Sequence, residues 1–159
     1  MDETSIAPCD PEYIEALGHA VYNFAWLEYN VVWVVELLEP SYWGEYVSKA
    51  KSAGDVAKDL ERAIHDRAKG HVAEAELRDI SKTFSDLKVR RNKLLHATPI
   101  VASDGRRLHH LAQDIAWGVD KVRQASTDFA AAAESAQAVF RKLCTHPVRH
   151  GCDILRLSH

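Results

Sequence analysis

Six residues near the middle of the chain combine side chains suited to phosphate and proton chemistry: Lys88, Arg90, Arg91, Asn92, Lys93 and His96. Arginine presents a planar fork of N–H donors that binds two phosphate oxygens at once. Histidine titrates nearest to neutral pH, so it accepts or donates protons under ordinary conditions. Asn92 and His96 are four apart and share a helix face, where the amide can orient the imidazole. Lys88, Arg90 and Lys93 surround the group with positive charge in a chain of formal net charge −3 and pI near 6.3. A phosphate suits such a place.

Spacing alone does not single this group out, because an arginine and a histidine with four or five residues between them recur at Arg90–His96 and Arg141–His146. The surrounding pattern does. A helix from about Val72 to Ala97 carries Leu77, Ile80, Phe84, Leu87 and Leu94 at three- and four-residue steps, with Leu95 beside them. The inward position after Leu87 is 91, where an arginine stands. A half-buried guanidinium is costly unless it is paired or faces an anion, and such local conflicts are typical of functional sites. Arg90 is the alternative; the stripe favours Arg91. Pro99 drives Thr98 out of helical geometry, which leaves His96 in the last turn, where free carbonyls favour a positively charged imidazole.

The remaining elements must position this group. Asp10-Pro11 marks the start of a first helix, with Asp10 as N-cap and Pro11 at the first helical position. Ile14, Leu17, Val21, Phe24, Leu27, Val31, Val35 and Leu38 recur along it, and Pro40 ends it. Its stretch from Trp26 to Val35 is apolar on more than one face, which implies cover on both sides, one of them from a partner subunit. Glu28 interrupts that stretch. It either pairs with Arg91 or His96 or marks a solvated edge. Tyr42 to Val47 reads as a short aromatic helix or turn. A second long helix spans Asp55 to Lys69 with Val56, Leu60 and Ile64 inward and Gly70 as its stop. After Pro99, residues 100–108 read as a small hairpin or an extended loop, with Asp104-Gly105 as the turn signal. A last helix from about Val119 to Cys144 carries Val122, Ala125, Phe129, Ala133, Ala136, Phe140 and Leu143 on one face. The expected fold is all-α, an up-down antiparallel bundle of four to five helices with a short hairpin or loop after the third long helix.

Composition sets the broad class. At 159 residues, 47% hydrophobic and 27% charged, the chain suits one globular domain. The charge balance excludes a wholesale nucleic-acid coat and leaves room for a small basic mouth. Cys9, Cys144 and Cys152 are few, odd in number and without disulfide-like spacing, which fits a reducing compartment. The N-terminus has neither the basic start nor the apolar run of a signal peptide, and the apolar window Val31 to Leu38 is too short to span a membrane. Together these imply a cytoplasmic protein.

Other constellations are weaker. Cys144, His146, His150 and Cys152 offer four soft ligands, but their spacing matches no common zinc module. His109 and His110 read as an exposed polar pair, or as a nucleic-acid contact beside Arg106 and Arg107. His65 and His71 read as surface. The tryptophans read as core or dimer contacts rather than base-stacking platforms. No glycine-rich phosphate loop, nucleophile elbow or dinucleotide fingerprint is present.

The run from Arg91 to His96, Arg-Asn-Lys-Leu-Leu-His, resembles the signature of HEPN-domain proteins: an arginine, often followed by a polar residue, then a histidine after four to six others. The long first helix with Trp26-Leu27-Glu28, the motif at the end of a later helix and the long final helix resemble that family's layout. The resemblance covers residues 11–146, leaving 1–10 as an extension and 147–159 as a tail. It implies a metal-independent endoribonuclease, in this family commonly a toxin or defence component, that dimerises so that two motifs form one cleft. Arg91 would hold the scissile phosphate, His96 would transfer a proton and Asn92 would position one of them, with Lys88, Arg90 and Lys93 binding substrate. RNA supplies its own 2′-hydroxyl nucleophile, so neither metal nor cofactor is required, and the product would be a 2′,3′-cyclic phosphate. The partners implied are RNA, a second copy of the chain and an antitoxin protein, with no membrane. The alternative is a non-catalytic HEPN-like module that binds a partner protein or a nucleotide in the same cleft.

Overall fold

A computed structural model describes residues 10–102 and 105–148. These are mostly helical: α1 (Pro11–Leu38), α2 (Tyr42–Ser48), α3 (Ala53–Arg67), α4 (Glu74–Leu95) and α5 (Val119–Thr145), with strands β1 (Thr98–Ala102), β2 (Gly105–His110) and β3 (Ile115–Trp117) between α4 and α5. No helix among the described residues is long and apolar enough to cross a membrane.

Helix starts follow local chemistry. The Asp10 carboxylate accepts from the Glu12 N–H at 3.0 Å, and Pro11 follows it at the first helical position. For α3 the start is Ala53, two residues before the expected Asp55. Ser52 forms a capping box there: its hydroxyl accepts from the Asp55 N–H at 3.2 Å and the Asp55 carboxylate accepts from the Ser52 N–H at 3.0 Å. Gly70, at φ 75°, takes a left-handed conformation that favours glycine and lets the chain reverse toward α4. The hairpin is real. β1 and β2 pair antiparallel from Thr98↔His109 to Ala102↔Gly105, while the turn at Ser103–Asp104 lies outside the described residues. β3 adds to the other side of β2 and is unforeseen, because three residues are too few to show a period of two.

The core lies between α1, α3, α4 and α5. On α1 the buried face is Tyr13, Ala16, Ala20, Phe24, Leu27 and Val31, whereas Ile14 and Val21, expected inward, are exposed. The small residues Ala16 and Ala20 let α1 lie close to α5, which contributes Ala125, Ala132, Ala133 and Ala136 to the core. Val31, Val32, Val34 and Val35 are all fully buried within the single chain. These four valines need no partner to cover them, whereas Tyr29 in the same stretch is exposed. The expected inward faces of α3 and α4 are confirmed, with Val56, Leu60, Ile64, Leu77, Ile80, Phe84 and Leu94 buried.

The helices do not alternate strictly in direction. α4 runs against α5, with Glu76 paired to Lys142 and Arg90 to Asp128. α1 and α5 advance together, through Glu12–Arg123 and then the Phe24–Phe129 ring contact. α2 and its flanking turns explain the difference, because they fold the chain back before α3 begins. The Glu36 carboxylate fixes that fold-back by accepting from the N–H groups of Ser41 (3.0 Å) and Trp43 (2.6 Å). Trp43 then stacks on Trp33 at 5.3 Å and on Tyr46 at 5.8 Å, which fastens α2 to α1.

Candidate functional site

The motif occupies the last turns of α4. Arg91 continues the buried stripe of that helix, as its spacing predicts, and faces α1. Its guanidinium carbon sits 4.6 Å from the Phe24 ring centroid, a cation–π geometry worth about 0.5–2 kcal/mol. One terminal nitrogen lies 3.9 Å from Glu28 Oε2, too far for a hydrogen bond. Its Nε is buried and has no partner. Among the described residues, Arg91 therefore carries its charge inward with a ring beneath it and no hydrogen bond made, while its side chain keeps 22% exposure.

Arg90, one residue earlier, turns to the other side of α4 and is engaged in an ion pair with Asp128 of α5. Gln124 donates to the second Asp128 oxygen at 2.8 Å. The two arginines are thus separated by function as well as direction: Arg90 ties α4 to α5, and Arg91 has donors to spare.

Glu28 is the carboxylate nearest Arg91. Its other oxygen accepts a long hydrogen bond, 3.5 Å, from the Tyr46 hydroxyl of α2. Burial pushes the Glu28 carboxyl above its ordinary value, against the opposing pull of the Arg91 charge and the Tyr46 hydroxyl. Burial also raises the Tyr46 phenol, and the neighbouring Glu28 charge adds to it.

His96 is the C-cap of α4 and is exposed. Its backbone N–H donates to the Asn92 carbonyl at 2.9 Å. The expected amide–imidazole contact is not made: what joins Asn92 to His96 is backbone, and the half-buried Asn92 side chain has no hydrogen bond among the described residues. By helical geometry, five residues turn His96 about 140° around α4 from Arg91. One chain therefore does not put the arginine and the histidine on one face. Lys88 and Lys93 are half-buried and form no ion pair among the described residues.

Tyr46 and Phe24 complete the surroundings of Arg91 and were not singled out by sequence. Phe24 stands in the α1 stripe as an ordinary core residue. Tyr46 reaches Glu28 only because α2 folds back, and no local pattern signals that.

The other candidates resolve differently. His109 is no exposed residue; it is half-buried and lies 3.0 Å from Asp114. His110 is half-buried too. Arg107 is buried over the Tyr13 ring at 4.9 Å, with Asp10 at 3.6 Å, which removes it from a nucleic-acid surface. His65 is exposed beside Asp66, but His71 is a staple. Its Nδ1 accepts from the Ala73 N–H at 3.1 Å, which leaves Nε2 to donate to the His146 carbonyl at 2.7 Å. Cys144 is exposed and free. Cys9, His150 and Cys152 lie outside the described residues, and no three metal-ligating side chains converge among the described ones. Val148, assigned to the tail, is buried against the core. Trp117 is a core residue, as expected.

Comparison with protein-family models, with curated proteins and with solved structures returned no match.

Proposed function

We propose that this chain is a metal-independent endoribonuclease of HEPN type, acting on single-stranded RNA through attack of the 2′-hydroxyl on the adjacent phosphate. The observation that carries the reading is Arg91: a guanidinium held in the core stripe of α4, stacked on Phe24, with a buried Nε and no hydrogen bond among the described residues. A phosphate would use the donors that the protein leaves open. His96 serves as the proton-transfer group and Asn92 as the polar residue that follows the arginine. Lys88 and Lys93 supply the surrounding positive potential.

The active form is a homodimer within a HEPN-like bundle, and this too belongs to the proposal. Separation of Arg91 from His96 around α4 favours a cleft completed by a second copy. Exposed Ile14, Val21, Tyr22 and Tyr29 on α1, with Val89 and Leu95 on α4, provide apolar surface for it. A toxin or defence role, with an antitoxin as partner, is the setting that the family resemblance suggests, and a cytoplasmic location goes with it. The alternative, a non-catalytic module binding a partner protein or a nucleotide, would be served by an Arg91 closed off by Glu28. The 3.9 Å separation and the residual exposure speak for an open arginine instead.

The test is incubation of purified protein with a long unstructured RNA in EDTA, with an end-group analysis of the products. Cleavage leaving 2′,3′-cyclic phosphates is the expected result. A folded, dimeric protein that leaves the RNA intact would move the assignment to the binding module.

A further inference from the structure

Cleavage by an internal 2′-hydroxyl needs two proton transfers, one from the nucleophile and one to the leaving oxygen, and each copy of the motif supplies one histidine, turned about 140° around α4 from its own Arg91. The carboxylates near the site differ sharply in what they already do. Glu36, on the same helix as Glu28, is committed to the backbone N–H groups of Ser41 and Trp43. Asp128 is committed to Arg90 and Gln124. Glu28 alone of these three faces Arg91. Its Oε1 is anchored by Tyr46 and its Oε2 is turned to the guanidinium without bonding to it.

We propose that Glu28 is the second proton-transfer group of this site, the base that takes the 2′-hydroxyl proton of an RNA phosphodiester held at Arg91. The assignment rests on the ribonuclease reading above. In the step it describes, the 2′-O–H bond breaks and the proton passes to the Glu28 carboxylate. The 2′-oxygen bonds to phosphorus, the bond from phosphorus to the 5′-oxygen breaks, and that oxygen takes a proton from a His96 imidazolium. The products are a 2′,3′-cyclic phosphate and a 5′-hydroxyl, and exchange with water restores both side chains. Arg91 offsets the charge that gathers on the non-bridging oxygens.

Burial suits Glu28 to the task, because a carboxylate with a raised pKa is a stronger base than an exposed one. The groups that face it are Arg91 from α4 and Tyr46 from α2, and both oppose that rise. Removing the Tyr46 hydroxyl therefore lifts the Glu28 pKa further. A carboxylate serving only to hold Arg91 in place would leave no such mark on the rate.

The experiment measures cleavage of a short oligoribonucleotide against pH by the full chain, by Glu28→Gln and by Tyr46→Phe. Binding of the uncleavable 2′-deoxy oligonucleotide is measured beside it. Glu28→Gln is expected to lower kcat by about a hundredfold or more while binding the deoxy oligonucleotide at least as tightly. Tyr46→Phe is expected to keep cleaving, with the acid limb of its pH profile moved to higher pH. Wild-type rate and an unmoved acid limb in Glu28→Gln would overturn the assignment of Glu28 and leave the ribonuclease standing. Should Glu28→Gln not fold, the limb of Tyr46→Phe decides alone. A wild type that cleaves nothing would overturn both.

Discussion

Asp59 and Arg91 are both drawn to the interior by the helices that carry them, and the protein treats them in opposite ways. Asp59, on α3, receives the Tyr42 hydroxyl at 2.9 Å, the Lys51 ammonium at 2.6 Å and the Arg62 guanidinium at 2.9 Å. Desolvation would raise its carboxyl, yet the Lys51 and Tyr42 hydrogen bonds, with the charges of Lys51 and Arg62, hold it below the ordinary value. Arg91 has a ring, a carboxylate at 3.9 Å and, among the described residues, no hydrogen bond. Drawing a charge out of water costs free energy in both places; at Asp59 three donors offset it, whereas at Arg91 the Phe24 ring and the more distant Glu28 do so only in part. A saturated cluster is a joint, here between α2 and α3. An unsaturated one awaits something.

The largest effect that follows is on catalysis. His96→Ala is expected to lower the cleavage rate about 10²–10⁴-fold, the range for loss of a general acid or base, with dimerisation and thermal stability unchanged, since the imidazole is exposed. Undiminished cleavage by that variant would sink the assigned role. The saturated cluster should respond the other way. Asp59→Ala takes from Lys51 its closest carboxylate, leaving it Glu45 at 3.2 Å, and is expected to cost roughly 3 kcal/mol of stability, the low end for a broken buried pair, read as a drop in the denaturation midpoint. Any surviving folded fraction should retain full specific activity.

The two clusters should also differ in sign with pH. Asp59 has a depressed carboxyl, so its contribution is present above the ordinary aspartate pKa and is lost as pH falls through the depressed folded value. Glu28 has a raised carboxyl, so its contribution is present below the ordinary glutamate pKa and is lost as pH rises through the folded value. Urea midpoints across that range are expected to show both slopes. Asp59→Asn should remove the first and Glu28→Gln the second; a Glu28→Gln profile that still matches wild type would deny that Glu28 is perturbed by its surroundings. The smallest effect belongs to the open lysines. Lys88→Ala and Lys93→Ala should each weaken RNA binding uniformly across sequences and reduce the salt slope by about one unit or less. An unchanged slope would place them off the RNA path.

How far the sequence foretold this depends on range. Helix starts and stops were legible where one residue makes them: Asp10-Pro11, Pro40 and Gly70 each act within a turn. The inward place of Arg91 was legible from the stripe arithmetic of α4, which also distinguished it from Arg90, but nothing local revealed that Arg90 meets Asp128 across 38 residues. On α1 the stripe was misread by one position, since alanines at 16 and 20 carry a weaker apolar signal than Ile14 and Val21 yet allow the closer approach to α5. Glu28 stood out as an interruption, but Tyr46 as its partner depends on the return of α2, and β3 is too short to announce itself. Asn92 and His96 share a helix face as their spacing says, yet a shared face did not bring their side chains into contact.

On the proposed reading, Arg91 and not Arg90 holds the phosphate. Cleavage of unstructured RNA in EDTA by wild type, Arg91→Ala and Arg90→Ala tests it in one experiment. Wild type is expected to cleave, Arg91→Ala to lose about 10²-fold or more of the rate, and Arg90→Ala to lose less than tenfold together with about 1 kcal/mol or less of stability from its partly exposed ion pair. Wild-type cleavage by Arg91→Ala, or loss confined to Arg90→Ala, would contradict it.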